Sequence, residues 1–176
     1  ALSITTPLVA DGSSTTLALK PETVKVPYLS SGQESSTFCI DLYVSNVQDL
    51  KLFKLNIVFD GAILEALTPY YGEYSEWSGG GRASGSSSYA AITIRFYDLS
   101  KALSGSGVLL RYWFRAKAVG TTKLELREAE LRNSNGDLIP CTCIGSQVEV
   151  VPFETWGRWG IPEVESEVPE VANAIH

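Results

Sequence analysis

The strongest constraint on this chain is a strict two-residue alternation of apolar side chains, repeated in runs too short for amphipathic helices. In FCIDLYV, Phe38, Ile40, Leu42 and Val44 share one side while Cys39, Asp41 and Tyr43 share the other. KLFKLNIVF sets Phe53, Leu55, Ile57 and Phe59 against Lys54, Asn56 and Val58. AAITIRFY sets Ile92, Ile94 and Phe96 against Ala91, Thr93, Arg95 and Tyr97, and VLLRYWFRAK sets Leu110, Tyr112, Phe114 and Ala116 against Arg111, Trp113 and Arg115. Successive side chains of a strand point to opposite faces, so a period of two reads as strands with one oily and one decorated side.

Runs rich in Thr, Val, Ile, Tyr and Phe, bounded by Gly, Ser, Asn and Pro, extend this reading along the chain. They predict strands over residues 16–19, 23–27, 38–44, 51–59, 89–97, 108–117, 122–126, 138–144 and 147–151. That is an all-β chain of nine strands, the size of a jelly-roll β-sandwich. Residues 1–14 read as an N-terminal extension, 15–152 as the sandwich, and 153–176 as a Trp-containing acidic tail or linker. Trp156 and Trp159 are expected to pin the start of that tail to the domain.

Charge and composition remove several function classes. A net charge of -6 and a pI near 4.8 disfavour nucleic acid, which needs a basic field. No apolar run approaches the roughly 18 residues of a spanning helix, so no membrane insertion is expected. The absence of Met and a start at Ala1 suggest a processed fragment. The lone histidine is the terminal His176, and neither a Gly-x-Ser-x-Gly elbow, a phosphate-binding glycine loop nor a His-partnered cysteine is present, which argues against an enzyme. Carboxylates are plentiful enough that composition alone leaves a glycosidase-type pair open.

Three local features carry alternatives. Cys39, Cys141 and Cys143 read either as thiols packed like small hydrophobes or as one disulfide from Cys39 to either of the other two. A zinc site lacks a second ligand pair. Between Pro69 and Ser88, the aromatic half of PYYGEYSEWSGGGRASGSSS (Tyr70, Tyr71, Tyr74, Trp77) reads either as a cover over an open end of the sandwich or as a stacking platform for sugar rings, and the Gly/Ser half as a mobile loop. The oxygen-rich LRNSNGDLIP reads as a turn rather than a calcium loop, because residue 144 is Ile instead of a closing Glu and both flanks are strands.

Two blocks resemble the cohesin family. VSNVQDLKLFKLNIVFDGAILEAL is similar to the family's strand ending in V-x-N-V, its D-L turn, its alternating strand and its Y/F-D-P-x-x-L-E segment. GVLLRYWFRAKAVGTTKLELREAELRNSNGDLIPCTCIGSQVEVV resembles GVLARITFKAKA, then G-x-T-x-L-x-L, then L-x-D-S-N-G-x-x-I-P and a closing strand. The resemblance spans about residues 16–152. Gly61 stands where many cohesins have Pro, and Cys141 and Cys143 stand where Val-type residues are usual, which favours the packed-thiol reading. The Gly/Ser loop and the tryptophans near the C-terminus lie outside the pattern.

The resemblance implies a noncatalytic module that binds a dockerin through one sheet face and assembles enzymes or surface proteins noncovalently, in an extracellular or cell-surface location. No cofactor is implied for this chain; calcium is expected on the dockerin, whose loops resemble calcium-binding pairs. It also implies that KLFKLNIVF, AAITIRFY, VLLRYWFR and LIPCTCIG are neighbours in the binding sheet. Lys54, Asn56, Val58, Thr93, Arg95, Tyr97, Arg111, Trp113 and Arg115 are then expected on one partner-binding surface, centred on Arg111 and Trp113, with Thr142 near it. Arg, Tyr and Trp suit an interface because they bury area while keeping directional donors. The same pattern on a solvated sheet would be long side chains covering their neighbours. A carbohydrate-binding module or a structural domain of a cell-surface protein are the rival expectations.

Overall fold

Backbone pairing turns the alternation into two layers. The computed structural model describes residues 14–29 and 36–156. It contains β1 (Thr16–Lys20), β2 (Thr23–Tyr28), β3 (Thr37–Val58), β4 (Leu64–Ala66), β5 (Glu73–Tyr74), β6 (Gly81–Ser87), β7 (Ala91–Ala116), β8 (Gly120–Asn133), β9 (Leu138–Ile139), β10 (Thr142–Ile144), β11 (Ser146–Pro152) and a single turn of helix, α1 (Phe153–Trp156).

The first layer runs β10, β1, the first half of β3, the second half of β7, then β4 and β5. Its register aligns Leu17 with Val44, Ile40 with Tyr112 and Leu64 with Ala116. The second layer runs β2, β11, β8, the second half of β3, the first half of β7, then β6. Here Val148 lies opposite Val24 and Thr122, and Ile57 lies between Leu126 and Ile92. Thus β3 and β7 pair with each other along nearly their whole length and belong to both sheets. At the change of layer the ladder loses register, Asn46 and Asp49 take positive φ (54° and 56°), and their N–H groups donate to Ser106 Oγ and Ser104 Oγ at 2.9 Å each.

The inward faces close on one another as a single core. Tyr112, Phe53, Phe114, Leu17, Ile40 and Ile57 are fully buried. Phe59 of the second layer meets Phe114 of the first edge-on at 5.3 Å, and Phe53 stacks on Tyr97 at 4.9 Å with a 6° tilt. Each such aromatic removes on the order of 150–250 Å² from water, so truncating one costs about 3–5 kcal/mol.

Several expectations change in detail. The strands predicted at 38–44 and 51–59 are one bent strand, as are those at 89–97 and 108–117, because serine side chains bridge the bend where a chain break was read. The Gly/Ser stretch predicted as a mobile loop contains β6, paired with β7 from Leu99 to Ile92. Glycine is needed there for close approach: a Cβ on Gly81 would fall 2.3 Å from the Asp98 carbonyl oxygen, and one on Gly85 2.1 Å from that of Thr93. The tail beyond residue 156, the pinning role of Trp156 and Trp159, and nearly all of the N-terminal extension lie outside the described backbone and side chains.

All three cysteines are free thiols; Cys39 and Cys141 are half-buried and Cys143 is exposed, so packing as small hydrophobes holds for two of them in part and fails for Cys143. Cys143 lies opposite Leu17, which lies opposite Val44, whereas Cys39 is five residues back along β3. At roughly 3.3 Å per residue that offset is about 16 Å along the strand, beyond the ~7 Å Cα separation a disulfide tolerates. Burial, and next the adjacent Cys143, push the Cys141 thiol up to about 11.

LRNSNGDLIP is a turn. The Gly136 N–H donates to the Asn133 carbonyl at 3.0 Å, Gly136 has φ 86°, and Asn133 Oδ1 accepts from the N–H groups of Asn135 and Asp137 at 3.0 and 2.8 Å. Asn133 therefore spends its side-chain oxygen on backbone rather than on a metal. Asp49, at the β3 bend, accepts from Ser134 N–H (3.0 Å) and Ser134 Oγ (2.7 Å), tying the turn to the change of layer.

Those two bonds hold the Asp49 carboxyl below the usual carboxylate range. A group depressed on folding contributes stability above its unfolded pKa and loses it as pH falls through the folded value. Asp49→Asn should therefore be less stable than the parent at neutral pH, and in pH-dependent thermal melts the gap should close below about pH 4.

Candidate functional site

The residues expected on one surface are divided between the two outer faces. Lys54, Asn56 and Val58 on β3 and Thr93 and Arg95 on β7 lie on the outside of the second layer, where Asn56 is opposite Thr93 and Lys54 opposite Glu130. Arg111, Trp113 and Arg115 lie outside the first layer, opposite Asp41, Cys39 and Thr37. VLLRYWFR therefore does not join KLFKLNIVF and AAITIRFY in one sheet. LIPCTCIG straddles the two, through β9 on β8 and β10 on β1, and Thr142 starts β10 in the first layer. Alternation separates in from out but carries no information about which layer a strand joins.

Tyr97 belongs to neither face. It is 3% exposed and its ring stacks on Phe53. The cause is a β-bulge: between the pairs Phe53↔Tyr97 and Leu55↔Ile94, Arg95 and Phe96 together oppose Lys54. An extra residue shifts the phase, so Tyr97 and Leu99 turn inward while Phe96, read as core, becomes 38% exposed beside Arg95. The signal was present in the sequence as apolar positions at 92, 94, 97 and 99 rather than 92, 94 and 96.

A second irregularity lies across β3. Between Lys54↔Glu130 and Asn56↔Arg127, β8 has Glu128 and Ala129 against Leu55, and Glu128 takes φ 52°. The two bulges flank a shallow trough of about 860 Å³ whose lining includes Lys54, Asn56, Thr93, Arg95, Glu128 and Cys141. Along its β8 wall charges are paired: Lys54 with Glu130 at 2.8 Å, Arg132 with Glu130 at 2.6 Å, and Asn56 Nδ2 donating to Glu128 at 2.8 Å. Bonds from Lys54 and Arg132 hold the Glu130 carboxyl below its usual range. Among the described residues Arg95 makes no hydrogen bond or ion pair, so the β7 wall presents a free guanidinium beside an exposed phenyl ring.

The first-layer face is internally satisfied. Arg111 grips Asp41 through two bonds of 2.6 and 2.9 Å, Trp113 Nε1 donates to Glu73 at 3.1 Å, and Arg115 pairs with Glu65 at 3.7 Å. Of the aromatics that form the alternative sugar platform, Tyr70 packs against the core and its carbonyl accepts from Tyr112 Oη at 2.9 Å, and Trp77 lies on Gly107, whose notional Cβ would be 2.4 Å from the indole. Tyr71 and Tyr74 are 49% and 66% exposed.

Fold and surfaces together define a jelly-roll β-sandwich that carries its candidate residues on open sheet faces. More particularly, it is the cohesin fold. The non-cellulosomal cohesin of the hyperthermophilic archaeon Archaeoglobus fulgidus matches with a TM-score of 0.67 at 16% identity, over 83% of this chain and 97% of that one. A chain of a type I cohesin–dockerin complex from Clostridium thermocellum matches at 0.64 and 12% identity, over 78% and 99%. A type II cohesin domain from the cellulosome of Acetivibrio cellulolyticus matches at 0.57 and 12%, over 77% and 95%. No protein-family model and no curated protein matches the sequence.

The inversion at the bulge has a direct measure in urea unfolding. Phe96→Ala should change stability by less than about 1 kcal/mol, whereas Tyr97→Ala should cost about 3–5 kcal/mol. Unbroken alternation through residue 97 would give the reverse order.

Proposed function

We propose that the chain is a noncatalytic module that captures a dockerin on the outer face of the second layer, between the two bulges. The observation that carries this reading is Arg95, without a partner among the described residues, beside exposed Phe96 at the edge of an open trough, on a fold whose solved examples include chains of cohesin–dockerin complexes. Arg and large aromatics dominate interface energies because they bury much area and keep directional donors. A cation with no partner among the described residues gives up only its hydration on docking, whereas Arg111 and Trp113 must also leave Asp41 and Glu73.

Thr93 and Asn56 line the trough half-buried beside Arg95, Val58 lies further along the same face, and Lys54 with Glu130 forms a charged border. In this reading the module assembles enzymes or surface proteins outside the cell, and the calcium that the assembly requires is held by the partner. Recognition resides in the sheet face rather than in any reacting group.

Capture can be measured by calorimetry against a panel of recombinant, calcium-loaded dockerins. At least one should bind. Arg95→Glu and Phe96→Ala should each weaken that complex about tenfold or more. The Arg111→Ala/Trp113→Ala pair should stay within about threefold of the parent, since it lies on the opposite face. Loss of capture in the Arg111/Trp113 variant alone would move the interface to the first layer, and silence across the panel would remove the dockerin reading altogether.

A further inference from the structure

At the edge of the sandwich, where β5 and β6 both pair with β7, lies a cleft of about 720 Å³ separate from the trough. Its walls are Tyr71, Glu73 and Tyr74 on one side and Gly81 and Ala83 of β6 on the other, and Tyr97 closes it from within. Its size falls in the roughly 300–1,000 Å³ range of small-ligand sites.

The inner wall is the informative part. Tyr97 is 3% exposed, and its hydroxyl makes no hydrogen bond to any described residue. Among the described residues no side-chain oxygen or nitrogen is both sealed from solvent and without a partner. The Tyr97 side chain lines the base of the cleft. Its hydroxyl can donate and accept. Burial chiefly, then the neighbouring Tyr74, raises its pKa, so it stays protonated at neutral pH.

The outer walls add two exposed rings. A Cβ on Gly80 would fall 3.4 Å from the Tyr74 ring, so the glycine turn before β6 backs that ring. At Gly81 any Cβ would strike the Asp98 carbonyl and come within 2.8 Å of the Tyr97 ring, which keeps this rim low. Glu73, opposite Arg111, turns its carboxylate to Trp113 Nε1 on the outer face of the first layer, whereas Tyr74, opposite the buried Leu110, turns toward the cleft. Open tyrosine faces above a protonated tyrosine at the base are complementary to a ligand with an apolar C–H face and equatorial hydroxyls.

We infer that this cleft binds a pyranose unit of an oligosaccharide, stacked on Tyr74, with Tyr97 Oη bonding one of its hydroxyls. The weakly positive C–H face of a sugar ring suits the negative face of an aromatic ring. Of the four aromatics in the sugar alternative read from the sequence, Tyr70 and Trp77 are spent on packing, as the cover reading has it, and Tyr97 joins Tyr74 at the cleft.

Cellohexaose, xylohexaose and chitohexaose at millimolar concentration, read by saturation-transfer NMR and calorimetry, test the assignment. One of them should bind. Tyr74→Ala should weaken it about tenfold or more, and Tyr97→Phe, which keeps the buried ring and removes only the hydroxyl, should weaken it severalfold with an unchanged thermal midpoint. Absence of binding by all three sugars, affinity untouched in both variants, or binding of choline without any sugar would overturn it. The dockerin capture of Arg95 variants is measured separately, so the two readings fail independently.

Discussion

Everything on the surface of this molecule depends on the ladder between β3 and β7. The two strands pair antiparallel from Thr37↔Arg115 to Val58↔Ala91, and on the way they leave one sheet and enter the other. Had the strands stopped at the bend, two small sheets would each expose an oily face. Because they continue, Ile40 and Tyr112 are covalently continuous with Phe53 and Ile92, and the layers fold onto each other around one core. Apolar burial supplies most of the stability of such a domain, and here the chain path that enables it also decides that Arg111 and Arg95 point in opposite directions.

The bend is held by polar groups in place of packing. Asn46 and Asp49 adopt left-handed conformations that cost a non-glycine residue about 1 kcal/mol or more. Their N–H groups are met by Ser106 and Ser104, and the Asp49 carboxylate by Ser134. Strain at two residues of one bend is thus answered by serines from two distant stretches of the chain, and the Asn133–Gly136 turn has a structural part beyond joining β8 to β9.

Inside and outside were largely legible in the sequence. Phe53, Leu55, Ile57, Leu110, Tyr112 and Phe114 are buried as their alternation implies, because period two is a local property of the backbone. The Asn-Gly turn was legible for the same reason. Layer membership was not: whether residues 108–115 pair with 38–44 or with 51–59 is a non-local choice, and both candidates carry equally good patterns. Strand β6 was hidden because Gly and Ser have poor strand propensity, and the reason for them, close approach of Gly81 and Gly85 to β7, exists only in three dimensions. At 12–16% identity to solved cohesin structures, the likeness carries the fold alone, and the site has to be read from this chain's own surface.

One backbone irregularity links the two proposed surfaces. With regular pairing through residue 97, Phe96 would fill the core, Tyr97 would stand on the outer face, and the cleft would lose Tyr97 from its base. The extra residue at Arg95–Phe96 reverses all three at once. It turns Phe96 out beside Arg95 and brings Tyr97 under Gly81 and onto Phe53. Strand β6 follows the same irregularity, slipping register between Ser84 and Gly85 to stay paired. A sheet face and a cleft with different chemistry therefore share one cause, and a substitution that regularised β7 would alter both together.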